Sequence, residues 1–110
     1  MNIVDLIKKI VNLFKVDIIK YPNSDLRRRQ KLLRNFNISK ILDVGANVGQ
    51  YAQLTRKLGY KGEIISFEPI QSIFKKLELR AIKDEKWKAY NIALGKKEEV
   101  RLLNISENTY

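Results

Sequence analysis

Two carboxylates and a short run of small residues are the parts of this 110-residue sequence able to do chemistry. Asp43 stands two positions ahead of the loop Gly45-Ala46-Asn47-Val48-Gly49, and Glu68 follows Gly49 by 19 residues. A glycine-bearing turn that leaves a strand and opens a helix presents backbone N–H groups to a ligand lying across the carboxyl ends of the strands. The dinucleotide fingerprint needs glycine at the first, third and sixth positions of such a loop. Counted from Gly45, the third is Asn47 and the sixth Gln50, and no Gly-Lys-Ser/Thr ending of a triphosphate loop is present. Asp43 then sets the sign of the ligand. A carboxylate at the strand end repels a pyrophosphate and holds an ammonium or sulfonium group, directly or through a backbone or water relay. S-adenosylmethionine, a nucleoside with a cationic methionine tail and no phosphate, has that chemistry. Glu68, at the end of the next strand, is placed to accept hydrogen bonds from both ribose hydroxyls. The plain alternatives are a tight turn without a ligand and a strand-end glutamate facing water.

Strands and helices must position these groups. The apolar run 40–44 predicts a first strand, with a helix from the loop to about Leu58 and Gly59 as its stop. A second strand over 63–68 is ended by Pro69, and a helix over 72–83 turns Ile73, Leu77 and Ile82 inward. A third strand over 88–93 completes two strand-helix-strand units, which make a parallel α/β sheet by right-handed crossovers. After Gly95 the alternation over 98–105 predicts a fourth strand, antiparallel, at the outer edge. Ahead of the sheet, Ile3, Leu6, Ile7, Ile10, Val11, Leu13, Phe14 and Ile18 follow helical spacing, with Asp5, Lys8, Lys9 and Lys15 mostly opposite. An amphipathic helix over 3–20 is expected, stopping before Pro22. Asn23 and Ser24 then cap a second helix over 25–35 that buries Leu26, Leu33 and Phe36, with Leu32 at its edge. The division is an N-terminal helical cap over 1–38 and a nucleoside-binding α/β domain over 39–110.

Composition excludes much else. With no Cys and no His there is no disulfide framework, Cys/His metal site, thiolate nucleophile or imidazole base, and no metal site is assigned. The 22 basic against 12 acidic side chains give +10, and residues 1–40 hold ten basic and three acidic ones, for +7. An electrostatic partner meets the front of the chain first. No apolar run approaches the roughly 20 residues that cross a bilayer, and the Lys8-Lys9 pair interrupts any secretory signal, so a cytoplasmic location is the default. Two binding-module alternatives follow from the charge. Nucleic acid is disfavoured because Arg27, Arg28 and Arg29 sit on a predicted helix where two of the three are a solvated face, and the aromatic residues do not interleave with the basic ones. Association of the lysine-rich helix 3–20 with an anionic membrane surface competes with the plainer role of capping its own domain.

Three blocks together, DVGANVGQY at 43–51, SFEP at 66–69 and NIALG at 91–95, resemble the FkbM-type S-adenosylmethionine-dependent methyltransferases. The likeness runs from about Arg27 through Asn108 and includes GYKG at 59–62 and DEKW at 84–87. It implies a Rossmann-like methyltransferase fold and methylation of a hydroxyl on a sugar, glycan or polyketide-like natural product. It maps Asp43, Gly45, Asn47 and Gly49 onto the cofactor loop, Glu68 onto the ribose-binding acid, and Ala93 with its neighbours onto the wall beside the adenine. An NAD-binding Rossmann protein is the nearest enzymatic alternative. Related proteins continue for roughly another hundred residues past the position of Tyr110, in line with usual domain sizes. The resemblance therefore implies a partial domain over 39–110, a truncated or complemented chain inactive alone, with the remaining strands and the acceptor pocket elsewhere. No catalytic residue is named. In the implied strand order the run 41–44 is an open sheet edge, which invites self-association or pairing with a complementing chain.

Overall fold

The computed structural model describes residues 2–12 and 23–105. Helix α1 spans Ile3–Asn12 and α2 Ser24–Asn35, followed by β1 Lys40–Val44, α3 Gln50–Lys57, β2 Glu63–Phe67, α4 Gln71–Ala81 and β3 Trp87–Tyr90. The strands form one sheet in the order β1-β2-β3, parallel throughout, with Asp43 opposite Ser66 and Ile64 opposite Trp87. This is the α/β class with strand-helix-strand crossovers expected from the sequence. Consecutive right-handed crossovers in one direction place both connecting helices on the same face. On that face Ile64, Ser66 and Leu77 are fully buried, and Ala46, Ala52, Ala81 and Trp87 complete the core. The small residues Ala52 and Ala81 let the helices approach the sheet closely.

The opposite face is bare. Leu42 and Val44 are 59% and 60% exposed and Tyr90 46%, with Phe67 stacked on Tyr90 at 5.9 Å between ring centroids. Beyond β1 no further strand lies among the described residues.

Helix α2 starts where Asn23 caps it, its Oδ1 accepting from the Leu26 N–H at 3.0 Å. Both α2 and α3 close on a left-handed residue, Asn37 at φ 48 and Gly59 at φ 93. In each, the next N–H reaches back five residues, Ile38 to Leu33 at 3.1 Å and Tyr60 to Thr55 at 3.3 Å, which satisfies carbonyls at the helix end. Helix α2 docks on α3 through the Gln30 side-chain amide, which donates to the Leu58 carbonyl, and through Arg29, whose guanidinium lies 4.3 Å from the Tyr51 ring centroid. Arg27 and Arg28 face solvent.

Arg56 clamps the amino ends of the sheet. Its Nε donates to Asp84 Oδ2 at 2.7 Å, and its terminal nitrogens donate to the carbonyls of Tyr60 at 2.9 Å, Gly62 at 2.7 Å and Lys86 at 3.1 Å. One side chain thereby joins the end of α3 to the approaches of β2 and β3.

Several expectations are corrected. No strand forms over 98–105; that segment is irregular and exposed, because alternation makes a strand only where a sheet edge and an apolar face receive it. Phe36 is 70% exposed, since it is the C-cap of α2 and has left the helical stripe; Leu26 is the residue buried there and Leu33 is half-buried. Ile82 is 79% exposed because α4 turns Leu77 and Ala81, four residues apart, toward the sheet. β3 begins at Trp87, which is buried, and ends at Tyr90, short of the expected 93. The expected helix over 3–20 is seen over Ile3–Asn12; its remainder lies outside the described residues.

Candidate functional site

The loop between β1 and α3 is a compact turn in which alternate residues, Gly45, Asn47 and Gly49, take positive φ of 72°, 53° and 95°. Only glycine adopts this region freely, and asparagine is the side chain that tolerates it best. The two glycines do different work. A Cβ on Gly49 would sit 2.8 Å from Cη2 of Trp87 and 3.1 Å from Cδ1 of Leu77, so its bareness lets the start of α3 rest on the core. A Cβ on Gly45 would meet nothing within 4 Å, so that side of the backbone is open to an approaching ligand.

The loop spends its own donors internally. Gly45 and Ala46 N–H both donate to the Phe67 carbonyl at 3.0 and 2.9 Å, Gly49 N–H to the Ala46 carbonyl at 3.0 Å, and Asn47 N–H to Glu68 Oε2 at 2.8 Å. A loop whose amides are bonded in this way does not cradle a phosphate, which needs converging free N–H groups.

Glu68 is buried and not a solvent-facing strand end. Its Oε2 takes the Asn47 N–H and its Oε1 the Ile70 N–H at 3.1 Å, so the carboxylate ties the glycine loop to the turn between β2 and α4. Each oxygen retains a lone pair for a further donor. Asn91, just beyond β3, donates from its side-chain amide to the carbonyls of Glu68 at 2.8 Å and Pro69 at 3.0 Å, fixing the same turn from the other side. Arg80 of α4 donates to the Val48 carbonyl at 2.9 Å, bracing the loop from the helix layer.

Asp43 is buried on the helix-covered face beneath the loop. Ser66 Oγ donates to its Oδ2 at 3.1 Å and itself accepts from Trp87 Nε1 at 2.9 Å. Oδ1 has no hydrogen-bond partner among the described residues, which leaves it for a relay to the loop. Burial raises the Asp43 pKa above the ordinary carboxylate value, and the Ser66 hydrogen bond offsets part of that rise. A cation held nearby would favour the ionised form.

The structure thus gathers Asp43, Gly45, Asn47, Gly49 and Glu68 at the carboxyl ends of β1 and β2. Ala93 stands apart, exposed in the irregular segment three residues past the end of β3. Sequence reasoning did not single out Ser66, Trp87 or Asn91. The parity of β1 held a signal for the first of these, because Asp43 shares a face with the half-buried Ile41 and so needs a buried partner across the sheet. A separate cavity of about 470 Å³ lies at the opposite, amino-terminal end of the strands between α2 and the Gly59–Gly62 turn. None of Asp43, Gly45, Asn47, Gly49 and Glu68 lines it.

No protein-family model matches the chain, and no curated protein matches it. Among solved structures it is similar to a protein from Staphylococcus aureus described as a caffeoyl-CoA O-methyltransferase, with a TM-score of 0.52 at 12% identity, covering 82% of this chain and 44% of that one. The YcgJ protein of Bacillus subtilis gives a TM-score of 0.45 at 16% identity over 61% of this chain and 30% of that one, too slight a likeness to bear on the fold. The chain spans less than half the length of either structure. At such identity the likeness is one of architecture, and it agrees with the sheet order and crossovers seen here: the chain has a Rossmann-like α/β fold of the kind found in a methyltransferase structure.

Proposed function

We propose that this chain is the cofactor-binding part of an S-adenosylmethionine-dependent O-methyltransferase of FkbM type, acting on a hydroxyl of a sugar, glycan or natural product. The observation that carries the reading is the glycine loop itself: four of its N–H groups are consumed internally, while a carboxylate, Asp43, lies beneath it. That combination disfavours a pyrophosphate and suits a nucleoside with a cationic tail. In this reading Gly45 gives the tail its line of approach, Asp43 supplies negative charge through the loop, Asn47 offers its exposed side chain, and Gly49 keeps the loop seated on Trp87. Glu68 holds the loop closed and uses its remaining lone pairs on the ribose, with the segment at Ala93 beside the base. When bound, such a cofactor supplies an electrophilic methyl group on a sulfonium sulfur.

No described residue is assigned as a base. The acceptor wall is assigned to polypeptide, continuous with this chain or separate, that pairs on the free edge of β1 and covers Leu42, Val44 and Tyr90, because parallel sheets are normally covered on both faces. Calorimetric titration with S-adenosylhomocysteine and with NAD tests the cofactor assignment. Saturable binding of the former and none of the latter is expected; tighter binding of NAD overturns it.

A further inference from the structure

We propose that α1 is an in-plane anchor for an anionic lipid bilayer. At about 100° per residue, Ile3, Val4, Leu6, Ile7 and Ile10 fall on one continuous arc of the helix, and Asp5, Lys8 and Lys9 on the other. The two lysines occupy opposite borders of the apolar arc. The apolar residues are all exposed, from 45% at Ile7 to 73% at Ile3, so nothing in the described protein covers them. Asn2 stabilises the start of the helix, its Oδ1 accepting from the Asp5 N–H at 2.8 Å.

A helix with so wide an apolar arc lies against its own domain, another protein or a lipid surface. The charges favour the last. Long basic side chains at both borders of an apolar arc extend their stems along the hydrocarbon and place their ammonium groups among head groups. Packing on protein makes no such demand on both borders. The surrounding sequence adds to the attraction: residues 1–40 carry +7, and Arg27, Arg28, Lys31 and Arg34 of α2 are all exposed. Each basic residue near an anionic surface raises partitioning about fivefold. Asp5, Lys8 and Lys9 within α1 oppose its burial across hydrocarbon, and no described helix is long and apolar enough to cross a bilayer. The helix therefore lies in the interface. This inference uses none of the cofactor argument, so the two fail separately.

Cosedimentation of the full chain with vesicles of phosphatidylcholine alone, or with about a third phosphatidylglycerol, tests it. Binding to the anionic vesicles that falls with salt is expected. Lys8→Gln with Lys9→Gln should weaken that binding tenfold or more, at roughly fivefold per charge. Leu6→Gln with Ile7→Gln should weaken it about a hundredfold, as the apolar anchor is lost. The near-UV circular dichroism of the single, buried Trp87 checks that the fold is intact in both variants. Three results overturn the proposal: no binding of the unaltered chain to anionic vesicles; unaltered binding by the Leu6/Ile7 variant, which would assign the interaction to the α2 arginines; or an oligomer in sedimentation that the Leu6/Ile7 variant dissolves, which would make α1 a protein interface.

Discussion

Replacing Glu68 by glutamine should loosen the glycine loop and destabilise the whole chain. The carboxylate accepts the Asn47 N–H at 2.8 Å and the Ile70 N–H at 3.1 Å, within a buried side chain. Hydrogen bonds to a charged acceptor contribute about 1.5–3 kcal/mol each. Glutamine keeps one acceptor oxygen and turns an NH₂ group toward the other N–H, so one bond is lost and two donors face each other. The expected cost is about 2–3 kcal/mol; Glu68→Ala, which loses both bonds but admits water, should cost about 3–5 kcal/mol. Against a total of about 5–15 kcal/mol for a small domain, either is a large share. At a urea slope of roughly 1.5 kcal/mol/M, the glutamine variant should unfold about 1.3–2 M earlier. Equilibrium unfolding followed by the fluorescence of Trp87, with hydrogen exchange at the Asn47 and Ile70 amides, measures both effects. A midpoint unchanged within about 0.3 M, together with unaltered protection of the two amides, would refute the view that Glu68 holds the loop.

Asp43→Asn should separate stability from binding. The folded-state pKa is raised by burial, so ionisation costs stability above that pKa and nothing below the unfolded value near 3.9; the variant should be modestly more stable at pH 7, no different at pH 3, and about tenfold weaker for S-adenosylhomocysteine. Gly49→Ala, with its Cβ against Trp87 at a φ of 95°, should lose about 2–4 kcal/mol in denaturant unfolding, whereas Gly45→Ala, strained but unobstructed, should lose about 1 kcal/mol and show its larger effect in cofactor titration. Arg56→Ala should cost about 3–5 kcal/mol, since it orphans three carbonyls and Asp84. The Arg56 hydrogen bond lowers the Asp84 pKa, so that contribution is present above the unfolded value near 3.9 and vanishes as pH falls through the folded one; thermal melts from pH 6 to 2 should show a smaller acid loss in the variant.

The sheet was legible because its signals are local. Lys40–Val44 is a mainly apolar run followed directly by Gly45, and Pro69 stops the second strand one residue past Glu68, so the order and direction of the elements follow from spacing alone. Contacts between strands were not legible. Whether Asp43 faces a ligand or Ser66 depends on the β1–β2 register, and the clamping role of Arg56 depends on three turns meeting at one place. Glu68 was placed correctly at the strand end, but its capture of the Asn47 amide follows from the positive φ of that residue, which sequence only weakly signals. The false strand over 98–105 shows the converse: alternation is local, whereas the edge and face a strand needs are not.

β1 carries both the free edge of the sheet and the acid beneath the loop, and this couples assembly to binding. A strand that pairs along Lys40–Val44 restricts the backbone leading into Gly45, so the loop has less freedom to lose when a ligand arrives. By reciprocity, a ligand that orders the loop favours the pairing by the same free energy. Coverage of Leu42 and Val44 also removes water from the far side of β1 and lowers the local dielectric around Asp43, which strengthens its attraction for a cationic tail while making its ionisation costlier in the absence of one. If the proposed cofactor binds here, the difference between its affinity with the edge of β1 free and with that edge paired measures the coupling, and its sign shows which of the two effects on Asp43 dominates.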